Sequence, residues 1–374
     1  MKIAHLSDTH LGYADLNVIG DDGVPLREHD IYDAFDKAIE AIIAADVDAV
    51  VHAGDLFHRA SPTNRALTHG LAGLKRLTDA GLPVVVLAGN HDAPRTAFTG
   101  PILAALENIP GVHPLYRPAA QSVRLGELVV HGVPHLLDID EFFAAFDALA
   151  PVPGAINVLA LHASVGAKFM MEEFGEQVIE GARREKFAAF AYTALGHWHG
   201  HRVLSGPGLA AYSGSTEHVG ERELDKQKGW MLVDLADPTH PQATFQPLAI
   251  RPQYKLTVED CRAKTDAEIL AAIAQQAEPL ALDGAIVRLH LAGLDPAQAA
   301  GLTNRRLSEP FTAALATLIT RSFVGGASKL EVVELATVSL PDLFADHLAQ
   351  TLTDPERRAR VLALGRKYLA EAER

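Results

Sequence analysis

Asp48-Ala49-Val50-Val51-His52-Ala53-Gly54-Asp55-Leu56-Phe57-His58 carries the pattern on which the fold of this chain turns. A short, β-branched apolar run ends at a glycine, and a carboxylate and then an imidazole follow. A run with so little polar alternation reads as a strand buried on both faces. Upstream, Ile31, Ala34, Phe35, Ala38, Ile39, Ile42 and Ile43 recur at helical spacing, which predicts a helix with one buried stripe. Downstream, Leu67, Leu71, Leu74 and Leu77 mark a second helix, ended by Ala80-Gly81 before a strand over 83–87. Further strand-like runs lie at 2–6, Leu128–Val133, 156–161 and 192–195. Strands alternating with helices predict an α/β layered domain, assigned to residues 1–252. From 253 to 340 the pattern changes to a smaller α+β unit. Its expected elements are a strand at 254–258, a helix at Asp266–Ala277, a strand at 285–291, a helix around 310–320 and a strand at 329–335. A helical tail is expected over 341–374.

The 374 residues, 48% of them hydrophobic, suffice for two to three domains with a sizeable core. No apolar run is long enough for a membrane span, and the first residues form no signal-type segment, so membrane insertion and export are not expected. A single cysteine, Cys261, excludes an intrachain disulfide and a thiolate metal cluster, which fits a reducing cytoplasm. Thirty-three basic against 47 acidic residues give a net charge of −14, the wrong sign for holding nucleic acid by bulk attraction. Contact with DNA would need a local basic patch, bound cations or a partner.

The chemistry gathers at strand ends. Asp8-Thr9-His10 follows the first strand, Gly54-Asp55-Leu56-Phe57-His58 the second and Gly89-Asn90-His91-Asp92 the third; His162 and Gly196-His197-Trp198-His199 follow later ones. This is the carboxyl edge, where α/β sheets place their sites. Carboxylate, amide oxygen and neutral imidazole together suit borderline divalent ions such as Mn²⁺, Fe²⁺ or Zn²⁺. A D-x-H or H-x-H spacing lets two side chains converge once the backbone leaves the pleat. Asp55 can lend one oxygen to each of two ions about 3.5–4 Å apart, the separation used for in-line displacement at phosphorus.

The motif set D-x-H, G-D-x-x-H, G-N-H-D, H and G-H-x-H resembles that of the calcineurin-like metallophosphoesterases. Within them the opening Ala4-His5-Leu6-Ser7-Asp8-Thr9-His10-Leu11-Gly12-Tyr13, residues 53–58 and residues 195–199 are similar to the SbcD family and its archaeal and eukaryotic double-strand-break repair counterparts. The resemblance implies two sheets flanked by helices, a smaller α+β capping domain and a helical C-terminal tail. It implies two divalent ions, expected to be Mn²⁺, with Asp8, His10, Asp55 and His199 on one and Asp55, Asn90, His162 and His197 on the other. His91 would protonate the leaving oxygen or stabilise the transition state, Asp92 would orient it, and His58 would position the substrate. It further implies a DNA exonuclease and endonuclease acting with an SbcC-like coiled-coil ATPase, and a homodimer. The same metal set also serves phosphodiesterases and phosphatases of small molecules or RNA, and a vestigial centre would leave only an assembly subunit.

His5, His52 and His131 fall in apolar strands and are expected to be core residues with a satisfied nitrogen. Trp198 either stacks on a base or packs beneath the site. Arg27 and Arg59 are candidates for phosphate contact, Ser215 in Tyr212-Ser213-Gly214-Ser215 for the substrate cleft, and His201 for a solvated loop. Residues 15–25 read as a loop before the first helix. The chain departs from the family there and in its short C-terminal part, where two amphipathic helices, 342–348 and 355–372, either dock an ATPase or fold back.

Overall fold

The computed structural model describes residues 1–16, 18–20, 22–94, 96, 99–171, 176–324, 348 and 355–372. The chain divides into two compact units: Met1–Leu256 with Ala274–Leu289 and Ser308–Leu318, and Thr257–Ile273 with His290–Leu307 and Ile319–Arg374.

In the first unit, one six-stranded sheet holds β1 (Lys2–Leu6), β2 (Ala49–His52), β3 (Val84–Leu87), β4 (Val112–Leu115), β13 (Gly229–Asp234) and β14 (Gln242–Pro247), in the order β14-β13-β1-β2-β3-β4. A second holds β5 (Gln121–Leu125), β6 (Leu128–Val133), β7 (Ile156–His162), β10 (Tyr192–Gly196), β11 (Arg202–Leu204) and β12 (Ala210–Tyr212), in the order β11-β12-β10-β7-β6-β5. A short parallel pair, β8 (Ser164–Val165) and β9 (Val178–Ile179), lies apart from both.

Alternation along the strands explains the layering. Val84 and Val86 of β3 pack with α1 (Leu26–Ala44) and α2 (Asn64–Asp79), through Phe35, Ile39 and Leu74. Val85 and Leu87 pack inward with Val130, Val158 and Tyr192 of the second sheet. Leu159 and Leu161 face the other way, onto Phe142 and Phe146 of α3 (Ile139–Ala148). The result is four layers, α/β/β/α, and central strands apolar on both faces, which is why they read as continuous hydrophobic runs. At roughly 2 kcal/mol per buried aliphatic side chain, these three cores hold the unit together.

The helix stripe is one residue narrower than its periodicity predicts, because Ile43 is exposed. On α2 the tightest positions are glycines: a Cβ on Gly73 would collide with the Phe35 ring. His5 and His52 are core residues, bonded to the Tyr192 hydroxyl at 2.7 Å and to Thr9 Oγ1 at 3.1 Å. His131 satisfies both ring nitrogens, through Ser122 and Asn157. Arg27 is no phosphate contact: it is buried and held by Asp30 at 2.6 Å, Glu217 at 3.1 Å and the His218 carbonyl.

β15 (Gln253–Val258), β16 (Ile286–Leu294) and β17 (Ala316–Phe323) form a three-stranded sheet in that order. The helix expected around 310–320 is instead the strand β17, where Thr317, Ile319 and Thr320 supply β-branched side chains. The second unit contains α4 (Asp266–Ala277, shared at its end with the first), the short α5 (Asn304–Ser308) and α6 (Pro355–Ala372), and it buries Cys261, Ile269, Ile273, Leu291, Leu302 and Leu307. The strand expected at 329–335 and most of the helix expected at 342–348 lie outside the described residues.

Candidate metal centre

The loops after β1 and β2 run side by side beyond the sheet. Asp8 N–H donates to the Gly54 carbonyl at 2.9 Å, His10 N–H to Asp55 at 3.1 Å and Leu11 N–H to Leu56 at 2.9 Å. Leaving the pleat requires left-handed backbone at Asp8 (φ 52°), His10 (φ 45°), Asp55 (φ 56°) and His197 (φ 92°). Such a conformation costs about 1–2 kcal/mol for a residue with a Cβ, so its concentration on ligand-type residues marks a functional constraint. It is also how the D-x-H spacing brings both side chains to one place. Gly54 is fixed by its own φ of 101° and by the His162 ring, into which a Cβ would run.

The donors converge from both sheets. Oxygen and nitrogen atoms of Asp8, His10 and His199 lie within 4.8 Å of one another, as do those of Asp8, Asp55 and His162, and those of His10, His58 and His91. His10 Nε2 and His199 Nε2 face each other at 3.1 Å, His162 Nε2 is 3.0 Å from Asn90 Oδ1 and 3.2 Å from Asp55 Oδ2, and His10 Nε2 is 3.7 Å from Asp55 Oδ2. Asp55 thus lies between the two sets. Two imidazole nitrogens face to face beside shared carboxylates are the arrangement a divalent cation requires. The charge agrees. Burial alone would lower the His162 imidazole, yet Asp55 and Asp8 outweigh it and push it up to about 10. The pocket draws positive charge inward, so the residues present fit two divalent ions.

The three imidazoles from the second sheet are each held by a second nitrogen, which fixes the tautomer of the first. His162 Nδ1–H donates to the Ala53 carbonyl at 2.9 Å, and His199 Nδ1–H to Glu223 at 3.1 Å. His197 Nε2 sits 2.8 Å from Glu176. Burial raises the Glu176 carboxyl, but His197, Ser164 and the Met171 amide bring it down to about 2. Burial likewise opposes the Glu223 carboxylate, and His199 and Lys228 hold it below the usual range. Glu176, Glu223 and Lys228 escaped the sequence reading, since lone charges in loops carry no spacing signal.

Asp92 accepts the backbone N–H groups of Leu56 at 3.1 Å, Phe57 at 2.9 Å and Gly89 at 3.1 Å, so it ties the second loop to the third. Burial and the neighbouring Asp55 push its carboxyl upward. His91 Nδ1–H donates to the His58 carbonyl at 2.8 Å, and the two rings stack at 5.1 Å. Burial, His91 and Arg59 lower the His58 imidazole to about 4. Arg59 itself is exposed. Ser215, expected at the substrate, is instead fully buried: its hydroxyl donates to the Glu217 carbonyl at 2.8 Å and accepts from Lys228 at 2.8 Å, beneath His199. A cleft of about 700 Å³ opens above, lined by His10, Tyr13, His58, His91, Trp198 and His199 among others.

Two sheets flanked by helices, with oxygen and imidazole donors converging at their carboxyl edges, define a metallophosphoesterase. The calcineurin-like phosphoesterase family matches residues 1–201, and the chain belongs to it. The chain is 32% identical to the DNA double-strand break repair protein Mre11 of Sulfurisphaera tokodaii over 69% of this chain and 65% of that one. It is 31% identical to the protein of the same name from Saccharolobus solfataricus, over 71% of this chain and 68% of the relative. The resemblance to the break-repair branch read from the motifs is thus matched by curated relatives, while the chain spans about two thirds, or slightly less, of their lengths. Among the described residues no helix is long and apolar enough to cross a membrane.

Proposed function

We propose that this chain is a Mn²⁺-dependent DNA exonuclease and endonuclease that hydrolyses phosphodiester bonds in double-strand-break repair, acting in the cytoplasm as a homodimer with an SbcC-like coiled-coil ATPase. The observation that carries the reading is Asp55, lying between two ligand sets, one of which opens through His10 and His199 onto a cleft that also presents His58 and His91. Two divalent ions, when bound, supply the positive charge needed at phosphorus and a nucleophile at neutral pH. Asp8, His10, Asp55 and His199 would hold one, and Asp55, Asn90, His162 and His197 the other.

The chain's own residues do the rest. His91, oriented by the hydrogen bond from Nδ1–H to the His58 carbonyl, hands a proton from Nε2 to the leaving oxygen. His58, lowered to about 4, is neutral near pH 7 and binds a phosphate oxygen as a hydrogen-bond donor. Asp92 acts at one remove, by fixing the loops that carry Asp55 and Asn90. Arg59 is exposed next to His58 in the chain and is the substrate-binding candidate that remains. The domain reading, 1–252 for chemistry, 253–340 for capping DNA and 341–374 for docking the ATPase, belongs to the same proposal.

The net charge of −14 does not demand DNA, and the same donor set serves many substrates, which leaves a second reading, a phosphodiesterase or phosphatase for a small molecule or RNA. Incubation of the purified chain and Mn²⁺ with end-labelled duplex DNA, in parallel with a small chromogenic phosphodiester, separates the two. Cleavage of DNA supports the nuclease; turnover of the small ester alone overturns it.

A further inference from the structure

Trp198 stands between His197 and His199, so its indole has a fixed place beside the metal centre. It walls two adjoining clefts. One is the cleft of about 700 Å³ above the histidines; the other is a groove of about 340 Å³ lined by Lys168, Phe169, His201, Arg202 and Lys226 among others. Lys226 Nζ lies 4.3 Å from the centre of the Trp198 ring, Lys168 Nζ lies 6.0 Å from that of Phe169, and the two rings meet edge to face at 5.6 Å. Every ion pair found among the described residues leaves Lys168, Arg202 and Lys226 out. In a chain of net charge −14, three cations against the single carboxylate of Asp225 along one groove are a local reversal of sign.

Cations alone would hold any polyanion, and rings alone any apolar group. Cations set against ring faces, next to a phosphate-cleaving centre, match a polymer that alternates phosphates with flat bases. A duplex hides its base faces, whereas an unpaired strand offers them. We therefore infer that this groove is a subsite for unpaired DNA adjoining the scissile phosphate, with Trp198 and Phe169 against the bases and Lys168, Arg202 and Lys226 on the phosphates. The inference rests on the nuclease reading of the same centre.

The full chain contains two tryptophans, and the other, Trp230, is 2% exposed within the core, so a ligand-dependent change of tryptophan fluorescence reports on Trp198. The chain is titrated, metal-free and in chelator, with a short oligothymidylate, by intrinsic fluorescence and by anisotropy of a labelled copy. Quenching is expected in the natural chain and not in Trp198→Phe. Trp198→Ala should weaken binding about tenfold or more, the usual effect of losing one stacked base. Lys168→Ala with Arg202→Ala, two surface changes that leave the core untouched, should lower the slope of log affinity against log salt by about 1.4, at roughly 0.7 per phosphate contact. Quenching that persists in Trp198→Phe, or a salt slope unmoved by the lysine and arginine changes, overturns the inference. Hydrolysis plays no part in the titration. Cleavage of DNA on adding Mn²⁺ with no quenching therefore sinks the groove alone, and quenching with no cleavage supports the groove while sinking the nuclease reading.

Discussion

The first sheet brings oxygen to the candidate metal centre through Asp8, Asp55 and Asn90, with the single imidazole of His10 beside them, while the second brings only imidazoles, His162, His197 and His199. The two kinds of donor are secured differently. Asp8 accepts the His197 N–H at 3.0 Å and Asp55 the His91 N–H at 2.9 Å, so backbone amides orient the carboxylates. An imidazole has two unlike nitrogens, and its tautomer must be set from behind. The Ala53 carbonyl does this for His162, and the carboxylates Glu176 and Glu223 do it for His197 and His199, on opposite ring nitrogens. The oxygen half is thus built largely into the loop backbone, whereas the G-H-x-H segment leans on side chains from distant loops.

The sharpest attack on this division is Asp55→Ala, which removes the residue shared by both sets. Hydrolysis should fall to background, and calorimetry should find neither ion tightly bound; two tight ions with normal turnover would end the two-metal account. His91→Ala tests the oxygen half without touching a ligand, and should keep both metals while lowering turnover by about 10²-fold or more. Loss of a metal with an unchanged rate per metallated site would make His91 a support and not the acid.

Next come the supports of the second half. Glu223→Gln and Glu176→Gln should each weaken metal binding by about 10–100-fold, the range for an outer carboxylate behind a ligating histidine. Calorimetry should assign the loss to one site in each variant, a different site in the two. An equal loss at both sites in either variant would show that these carboxylates act through general charge and not through a particular histidine. The smallest effect is expected from Ser215→Ala, which strands the Lys228 and Glu217 partners and should cost about 1–2 kcal/mol in a denaturant titration, with KM unchanged. A raised KM would return Ser215 to the substrate.

Much of the first sheet was legible because its strands are apolar on both faces and end in ligand-type residues at short spacing, so that Asp8, His10, Asp55 and Asn90 announce themselves locally. The supports were not. Glu176 reaches His197 because β9 pairs with β8 just past His162, and Glu223 reaches His199 beside Lys228 and Ser215; neither carboxylate has any local mark. Ser215 and Arg27 show the same limit from the other side. A serine or an arginine near a motif reads as a substrate contact until burial shows each to be fully committed within the fold.

Sequence by itself determined the family, the layered α/β class and the ligand types, since hydrophobic period and donor chemistry are local properties that survive in one dimension. Only the tertiary structure decided which carboxylate stands behind which histidine, that residues 316–323 extend as a strand, and that Trp198 walls a cationic groove beside the metal centre. Those facts depend on chain segments remote in sequence meeting in space, and on burial, which sets whether a polar group faces a substrate or a neighbour.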